Sequence, residues 1–235
     1  MKTFAPWLCA FTVLAGCSRS TETNPAPAVA GNPQAAASAP APQGYVQVPD
    51  DLLARLVRPD SPVLGPPNAP VMLVEFLDPA CEACRAFAPV ISQVQFLYPK
   101  EVRVVLRFAD FHPGSEEAIR ILLAAQRQGK LESVLAALFE DQEQWASHAA
   151  PNIDAAWKIA GRAGLDVPRA RKDASSAQVS QRLDQEAEDI MALQVTGTPT
   201  FYVNDKLLTD FGPAPLMKLV GSEVKAAAPA AAAPR

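Results

Sequence analysis

The sequence predicts an α/β fold in which a β-α-β half and a β-β-α half are separated by a long helical insertion. Three observations carry this reading. A near-continuous apolar run, 71–77, which suits a strand covered on both faces, and a second strand-like stretch, 102–108, flank a segment with helical spacing. A third apolar run, 199–203, is followed by Asn204-Asp205 and then Lys206-Leu207-Leu208, which reads as a hairpin. Between the halves, from about 115 to 193, the pattern is helical only.

The first strand carries one acid, Glu75, inside its apolar run, and Asp78-Pro79 ends it. From Cys81 to about Tyr98, Cys84, Phe87, Ala88, Ile91, Val94 and Gln95 recur every three or four residues until Pro99, the spacing of one helix face. The second strand then pairs parallel to the first through a right-handed crossover. His112-Pro113-Gly114 reads as a turn, with Ser115 as the N-cap of the next helix and Glu116 and Glu117 in its first turn, where acids suit the helix dipole. Three further stripes follow: Leu131, Leu135, Leu138 and Phe139; Ala156, Trp157 and Ala160; Leu183, Ala187 and Ile190. All are expected in the core. Pro213 opens a last helix through Leu216, Leu219 and Val220.

Outside this domain the composition changes. Lys2 and the apolar stretch from Phe4 to Ala15 have the layout of a signal peptide, too short to span a bilayer. Leu14-Ala15-Gly16-Cys17 resembles a bacterial lipoprotein cleavage site. That resemblance implies removal of residues 1–16, lipidation of Cys17, and, with Ser18 rather than Asp next, an outer-membrane destination. From Ser18 to about Gln43 the only charges are Arg19 and Glu22 and there is no hydrophobic period. Residues 17–44 therefore read as a lipidated Cys followed by a disordered tether, with a reach of roughly 80 Å if extended. Residues 45–225 read as the folded domain and 226–235 as an Ala/Pro-rich disordered tail. The chain has 21 basic and 25 acidic residues. Without a basic run or an aromatic stacking platform, nucleic-acid binding is not expected.

Of four cysteines, Cys9 falls in the signal stretch and Cys17 at the cleavage site, which leaves Cys81 and Cys84, spaced C-x-x-C, as the thiols of the folded part. A single vicinal pair in an exported chain suits disulfide exchange better than a structural framework. Cys81, where strand gives way to helix, would have its thiolate favoured by free N–H groups and the helix dipole. It is the expected attacking thiol, and Cys84, one turn in and less exposed, the resolving one. The rival readings are half a zinc site and a merely structural bridge. Zinc wants four ligands, and only His112 and His148 remain, neither with a partner at ligand spacing. No metal and no cofactor beyond a redox-active Cys81–Cys84 disulfide is expected.

The stretch Ala80-Cys81-Glu82-Ala83-Cys84-Arg85-Ala86-Phe87-Ala88-Pro89 resembles the active-site helix of thioredoxin-fold proteins. Together with 75–79, the helical insertion and 195–204, residues 63–222 are similar to the DsbA-like thiol-disulfide oxidoreductases. The resemblance implies a thioredoxin fold and a cis-proline loop at Thr198-Pro199 that packs against the active-site disulfide and offers its backbone to a substrate chain. It also implies that Glu75 lies beneath the C-x-x-C as a proton acceptor for Cys84; the plainer reading is a solvated side chain at a sheet edge. The dipeptide Glu82-Ala83 departs from the Pro-His of the strongly oxidising members. A carboxylate next to Cys81 opposes its thiolate, so a weaker oxidant or a reductase/isomerase direction becomes an alternative, as does a non-catalytic lipoprotein module with a structural disulfide. His112 could approach the site, whereas His148 is expected at the surface. The expected partners are exported proteins with cysteines, an envelope redox partner, and the membrane through the Cys17 lipid. A domain without a separate dimerisation segment is expected to be a monomer facing the periplasm.

Overall fold

The structure, a computed structural model, describes residues 44–228. The signal stretch, Cys17 and nearly all of the tether lie outside the described residues. In chain order the elements are β1 (Tyr45–Gln47), α1 (Leu53–Leu56), β2 (Val63–Leu64), β3 (Val71–Leu77), α2 (Glu82–Leu97) and β4 (Val102–Phe108). The insertion is α3 (Ser115–Arg127), α4 (Leu131–Glu140), α5 (Gln142–Trp145), α6 (Ile153–Arg162), α7 (Val167–Ala174) and α8 (Ala177–Ala192). Then come β5 (Thr200–Val203), β6 (Lys206–Leu208) and α9 (Pro213–Ala227). The predicted order of strands, insertion and hairpin is present. β1, α1 and β2 went unread, because two to four residues are too few for a period to show.

One sheet of the described residues has the order β1-β6-β5-β3-β4-β2. β3 and β4 pair in parallel from Val71↔Val102 to Leu77↔Phe108, and β5 runs antiparallel on the other side of β3. Strand side chains alternate between faces, so Val71, Leu73, Leu77, Val104 and Leu106 join one core with α2, α9 and the insertion. Val74, Phe76, Val105 and Tyr202 join a second core with Leu56, Ile190 and Val195. Each large apolar side chain so buried contributes roughly 1.5–3 kcal/mol. The same alternation puts Glu75 on the α2 face and Arg107 on the α8 face.

Two local expectations are corrected. Ser115 is the first residue of α3, not its N-cap; that position is Gly114, at φ 84°. A Cβ there would stand 2.7 Å from Pro151, so only glycine fits. The Ser115 hydroxyl instead turns inward and donates to Asp78. On α8, Ala187 is exposed and Leu183 only partly buried; Arg182, Glu186 and Asp189 are buried in their place. The reason is Arg107, fully buried on β4, whose guanidinium donates to Glu186 at 2.8 Å and Asp189 at 2.7 Å. α9 continues to Ala227, two residues past the expected end of the domain.

The Asn204-Asp205 turn closes the β5–β6 hairpin at Val203↔Lys206. Asn204 takes φ 55°, which asparagine tolerates better than most residues, and its Oδ1 accepts from the Met72 amide at 2.9 Å. The hairpin is thereby tied to β3, and the loop before β5 is held over the start of α2.

Candidate active site

β3 delivers the chain to Asp78, Pro79 and Ala80, and Cys81 stands at the N-cap of α2. Cys81 and Cys84 are both free thiols. Cys81 is 5% exposed and Cys84 fully buried. The expected order of accessibility is present, but Cys81 is more enclosed than an open helix terminus would be, because the loop before β5 covers it. The Thr198-Pro199 peptide bond is cis, and the Cys81 thiol lies 3.3 Å from the Thr198 carbonyl oxygen, to which it donates.

The thiols have opposite proton affinities. Cys81 is lowered to about 5, first by the hydrogen bond Cys84 offers it, against a penalty from burial, then by Thr198 and the amides of Cys84 and Ala83. The Thr198 hydroxyl is buried and has no hydrogen-bond partner among the described residues. Cys84 is raised far above the ordinary thiol value, by donating to Cys81, by burial and by the charge of Glu75. Its sulfur accepts from the Asp78 amide at 3.5 Å.

Glu75 is 4% exposed, so the edge-solvated reading fails. Burial pushes its carboxyl up to about 8, with the Cys81 charge adding to the effect. It opens onto a cavity of about 260 Å³ between α2 and α4, bounded by Ala88, Ser92, Gln95, Glu132 and Leu135. A base titrating near neutrality beneath a buried thiol has the affinity needed to take that proton.

Sequence reasoning missed how the floor of the site is held. Asp78 is completely buried. It accepts from the amides of Ala80 (2.8 Å), Phe111 (2.8 Å) and His112 (3.0 Å), from the His112 ring at Nδ1 (2.8 Å), and from Ser115. The carboxylate thus ties the active-site turn to the loop after β4. Gln142 of α5 donates its amide to the carbonyls of Pro79 (2.9 Å) and Cys81 (3.1 Å) from the other side. An aspartate before proline reads as a strand end, and nothing in the sequence pairs Gln142 with Pro79.

His112 does reach the site, through Asp78. His148 is at the surface as expected, but it is not idle: its Nε2 lies 2.8 Å from Glu82 Oε1. This alters the argument from the dipeptide. The carboxylate next to Cys81 shares a hydrogen bond with an imidazole brought by the insertion. Next to the cis-proline, Phe211 is 59% exposed and packs on Phe87 with ring centroids 5.0 Å apart. With Val195, Thr196, Pro199 and Tyr202 it borders a cavity of about 160 Å³ of mixed polar and apolar lining. Among the described residues no group of three or more His, Cys, Asp or Glu side chains is arranged to hold a metal ion.

The thioredoxin family profile matches residues 58–220. A thioredoxin-like oxidoreductase from Silicibacter pomeroyi is similar at 30% identity and TM-score 0.64, covering 77% of this chain and all of that one. BdbD from Bacillus subtilis (20% identity, TM-score 0.62, 77% of this chain and 97% of that one) and alpha-DsbA1 from Wolbachia pipientis (16%, 0.65, 73% and 94%) share the fold. A curated protein described as Na(+)/H(+) antiporter NhaA 1 of Mycolicibacterium gilvum is 29% identical over 173 residues, 69% of this chain and 27% of that protein. The chain thus spans about a quarter of the length of the curated relatives it matches. No described helix is long and apolar enough to cross a membrane.

Proposed function

Because the chain belongs to the thioredoxin family, with a DsbA-like thioredoxin fold, we propose that it is a thiol-disulfide oxidoreductase of the bacterial envelope that accepts electrons from the thiols of exported proteins. The observation that carries this reading is the division of labour between the two cysteines. Cys81, at the N-cap of α2, is lowered to about 5, first by the hydrogen bond from Cys84; Cys84, fully buried, keeps its proton.

In the oxidised enzyme a client thiolate attacks Cys81 Sγ. The Cys81–Cys84 bond breaks and Cys84 leaves with the electron pair and takes a proton. A second client thiolate then attacks the client sulfur of the mixed disulfide, and Cys81 departs as a thiolate. Two client thiols become one disulfide, and the enzyme holds the two electrons as a Cys81 thiolate and a Cys84 thiol. In the reverse resolution Cys84 must lose its proton, and Glu75, at about 8, is the base in reach. Reoxidation needs a disulfide-bearing envelope partner. A client strand would lie along Thr198 and Pro199, with an apolar side chain against Phe211.

The depression of Cys81 supports an oxidising direction, because a stabilised thiolate favours the reduced form. A value of about 5 lies between the roughly 7 of thioredoxin and the roughly 3.5 of DsbA. Anchoring through lipidated Cys17 and a periplasm-facing, monomeric domain belong to the same proposal, supported by the Leu-Ala-Gly-Cys motif and the tether composition.

The test is a Cys84→Ser chain expressed in cells. It should accumulate mixed disulfides with exported proteins through Cys81, released by dithiothreitol and absent from Cys81→Ser. Absence of such adducts, together with a wild-type Cys81–Cys84 couple below about −300 mV, would leave the structural-disulfide reading standing.

A further inference from the structure

Two imidazoles meet above the N-terminus of α2, and neither belongs to the C-x-x-C segment. His112 comes from the loop after β4 and His148 from the loop between α5 and α6. Their rings are 5.6 Å apart, edge to face. His112 Nδ1 is 2.8 Å from Asp78 Oδ2, and a carboxylate can only accept, so Nδ1 carries hydrogen and Nε2 is the atom that gains or loses a proton. His148 presents Nε2 to Glu82 Oε1 at 2.8 Å.

The charged groups around the pair are Asp78 at the end of β3, Cys81 and Glu82 on α2, and each other. One turn along, Arg85 and Glu143 neutralise one another at 3.3 Å. Burial disfavours the imidazolium of His112, but its bond to Asp78 and the charges of Asp78, Cys81 and Glu82 outweigh this and raise its proton affinity. Interaction free energies are reciprocal: what the Cys81 thiolate does for His112⁺, His112⁺ does for the thiolate. His148⁺ acts one step removed, by cancelling Glu82.

We propose that His112 and His148 are positioning residues for the exchange reaction, an imidazole pair that replaces the histidine missing from between the cysteines and makes the Cys81 thiolate more stable, and the disulfide more oxidising, as pH falls through the imidazole range. The proposal rests on the oxidoreductase reading and names a regulation of that site. The proton balance is definite. Oxidation of two client thiols releases two protons and two electrons; Cys84 takes one proton, Cys81 stays a thiolate, and the imidazole pair takes up part of the second. Each reduction therefore carries proton uptake onto the insertion.

The test reads the protein's own thiols. Thiolate absorbance of the reduced full chain is titrated, and iodoacetamide rates at Cys81 are measured, in wild type, His112→Asn, His148→Asn, the double variant and Glu82→Gln. The double variant should show about a tenfold smaller thiolate fraction at pH well below the wild-type titration midpoint. Glu82→Gln should move the titration the other way, and His148→Asn added to Glu82→Gln should do nothing more. If His112→Asn weakens the fold by freeing Asp78, the exposed His148→Asn alone carries the test, with a severalfold effect expected. A double variant, or a well-folded His148→Asn, that titrates like wild type overturns the proposal. No client is involved, so failure here with adducts still trapped by Cys84→Ser condemns only the imidazole pair. Loss of those adducts with the titration differences intact condemns only the oxidoreductase reading.

Discussion

Glu75 and Cys81 set opposite pH dependences on the reduced protein. The folded state raises the Glu75 carboxyl to about 8, above its unfolded value of about 4.3. Its contribution is fully present below the unfolded value and is lost as pH rises through 8. Cys81 is lowered to about 5, so its contribution is present above the unfolded thiol value and is lost as pH falls through 5. Between pH 5 and 8 the two slopes oppose one another. Glu75→Gln removes one of them. Urea unfolding of the reduced chain should then show Glu75→Gln gaining on wild type as pH rises, on the order of 4 kcal/mol at pH 8–9 and almost nothing at pH 4. A difference that does not change with pH would mean Glu75 is not a buried, neutral acid. In the sequence this residue stood out only as the one acid of an apolar run, and its place under the cysteine helix came from the family resemblance, not from any local pattern. Asp78 was not legible: its five hydrogen bonds come from residues 2 to 37 positions away, and no local pattern announces them. His148 was legible only as a surface residue, since its partner Glu82 is 66 positions distant.

Among the elements, α8 shows where periodicity misleads. Arg182, Glu186 and Asp189 look like a solvated helix face with an i,i+4 pair, and Leu183, Ala187 and Ile190 like its buried stripe. The true inward face is charged because β4 supplies a fully buried Arg107 one residue before its end. Asp189 also accepts from Arg55 at 3.0 Å and Arg58 at 2.8 Å, so the network fastens α1 and the segment after it to α8. Arg107 stacks its guanidinium 5.0 Å from the centroid of Phe76 as well. Breaking a buried ion pair from one side typically costs about 3–5 kcal/mol, whereas replacing the whole group with apolar residues can be neutral. Arg107→Leu should therefore lower the unfolding free energy by that amount with little change in denaturant slope. Adding Glu186→Gln and Asp189→Asn should recover part of it. A loss below about 1 kcal/mol for Arg107→Leu would show the network to be solvated. The strands and long helices were readable because each repeats its period several times; this exception was not, because a charge at a core-facing position is explained only by its tertiary partner.

At the scale of the whole molecule, the order β-α-β, insertion, β-β-α was legible, and the edge elements β1 and β2 were not. β1 has a consequence for the way the domain is held. It runs antiparallel to β6, β6 to β5, and β5 to β3, so β1 is antiparallel to β3. Gly44, bonded through its carbonyl to the Thr209 amide at 2.9 Å, therefore sits at the end of the sheet where β3 delivers Cys81. A chain anchored, as proposed, through the residues before Gly44 would be held from its reactive end. The anchor and the domain should then be separable. Cys17→Ser, by removing the lipidation site, should shift the chain from the membrane to the soluble fraction on cell fractionation. Its Cys81 titration should stay the same, because β1 is fixed to β6 by its own register and by the bond from the Val48 amide to the Asp205 carbonyl at 2.7 Å. The released chain should sediment as a monomer. Retention in the membrane fraction would remove the lipid anchor from the proposal, and a symmetric dimer would favour an isomerase, since two facing sites can hold one misbridged client.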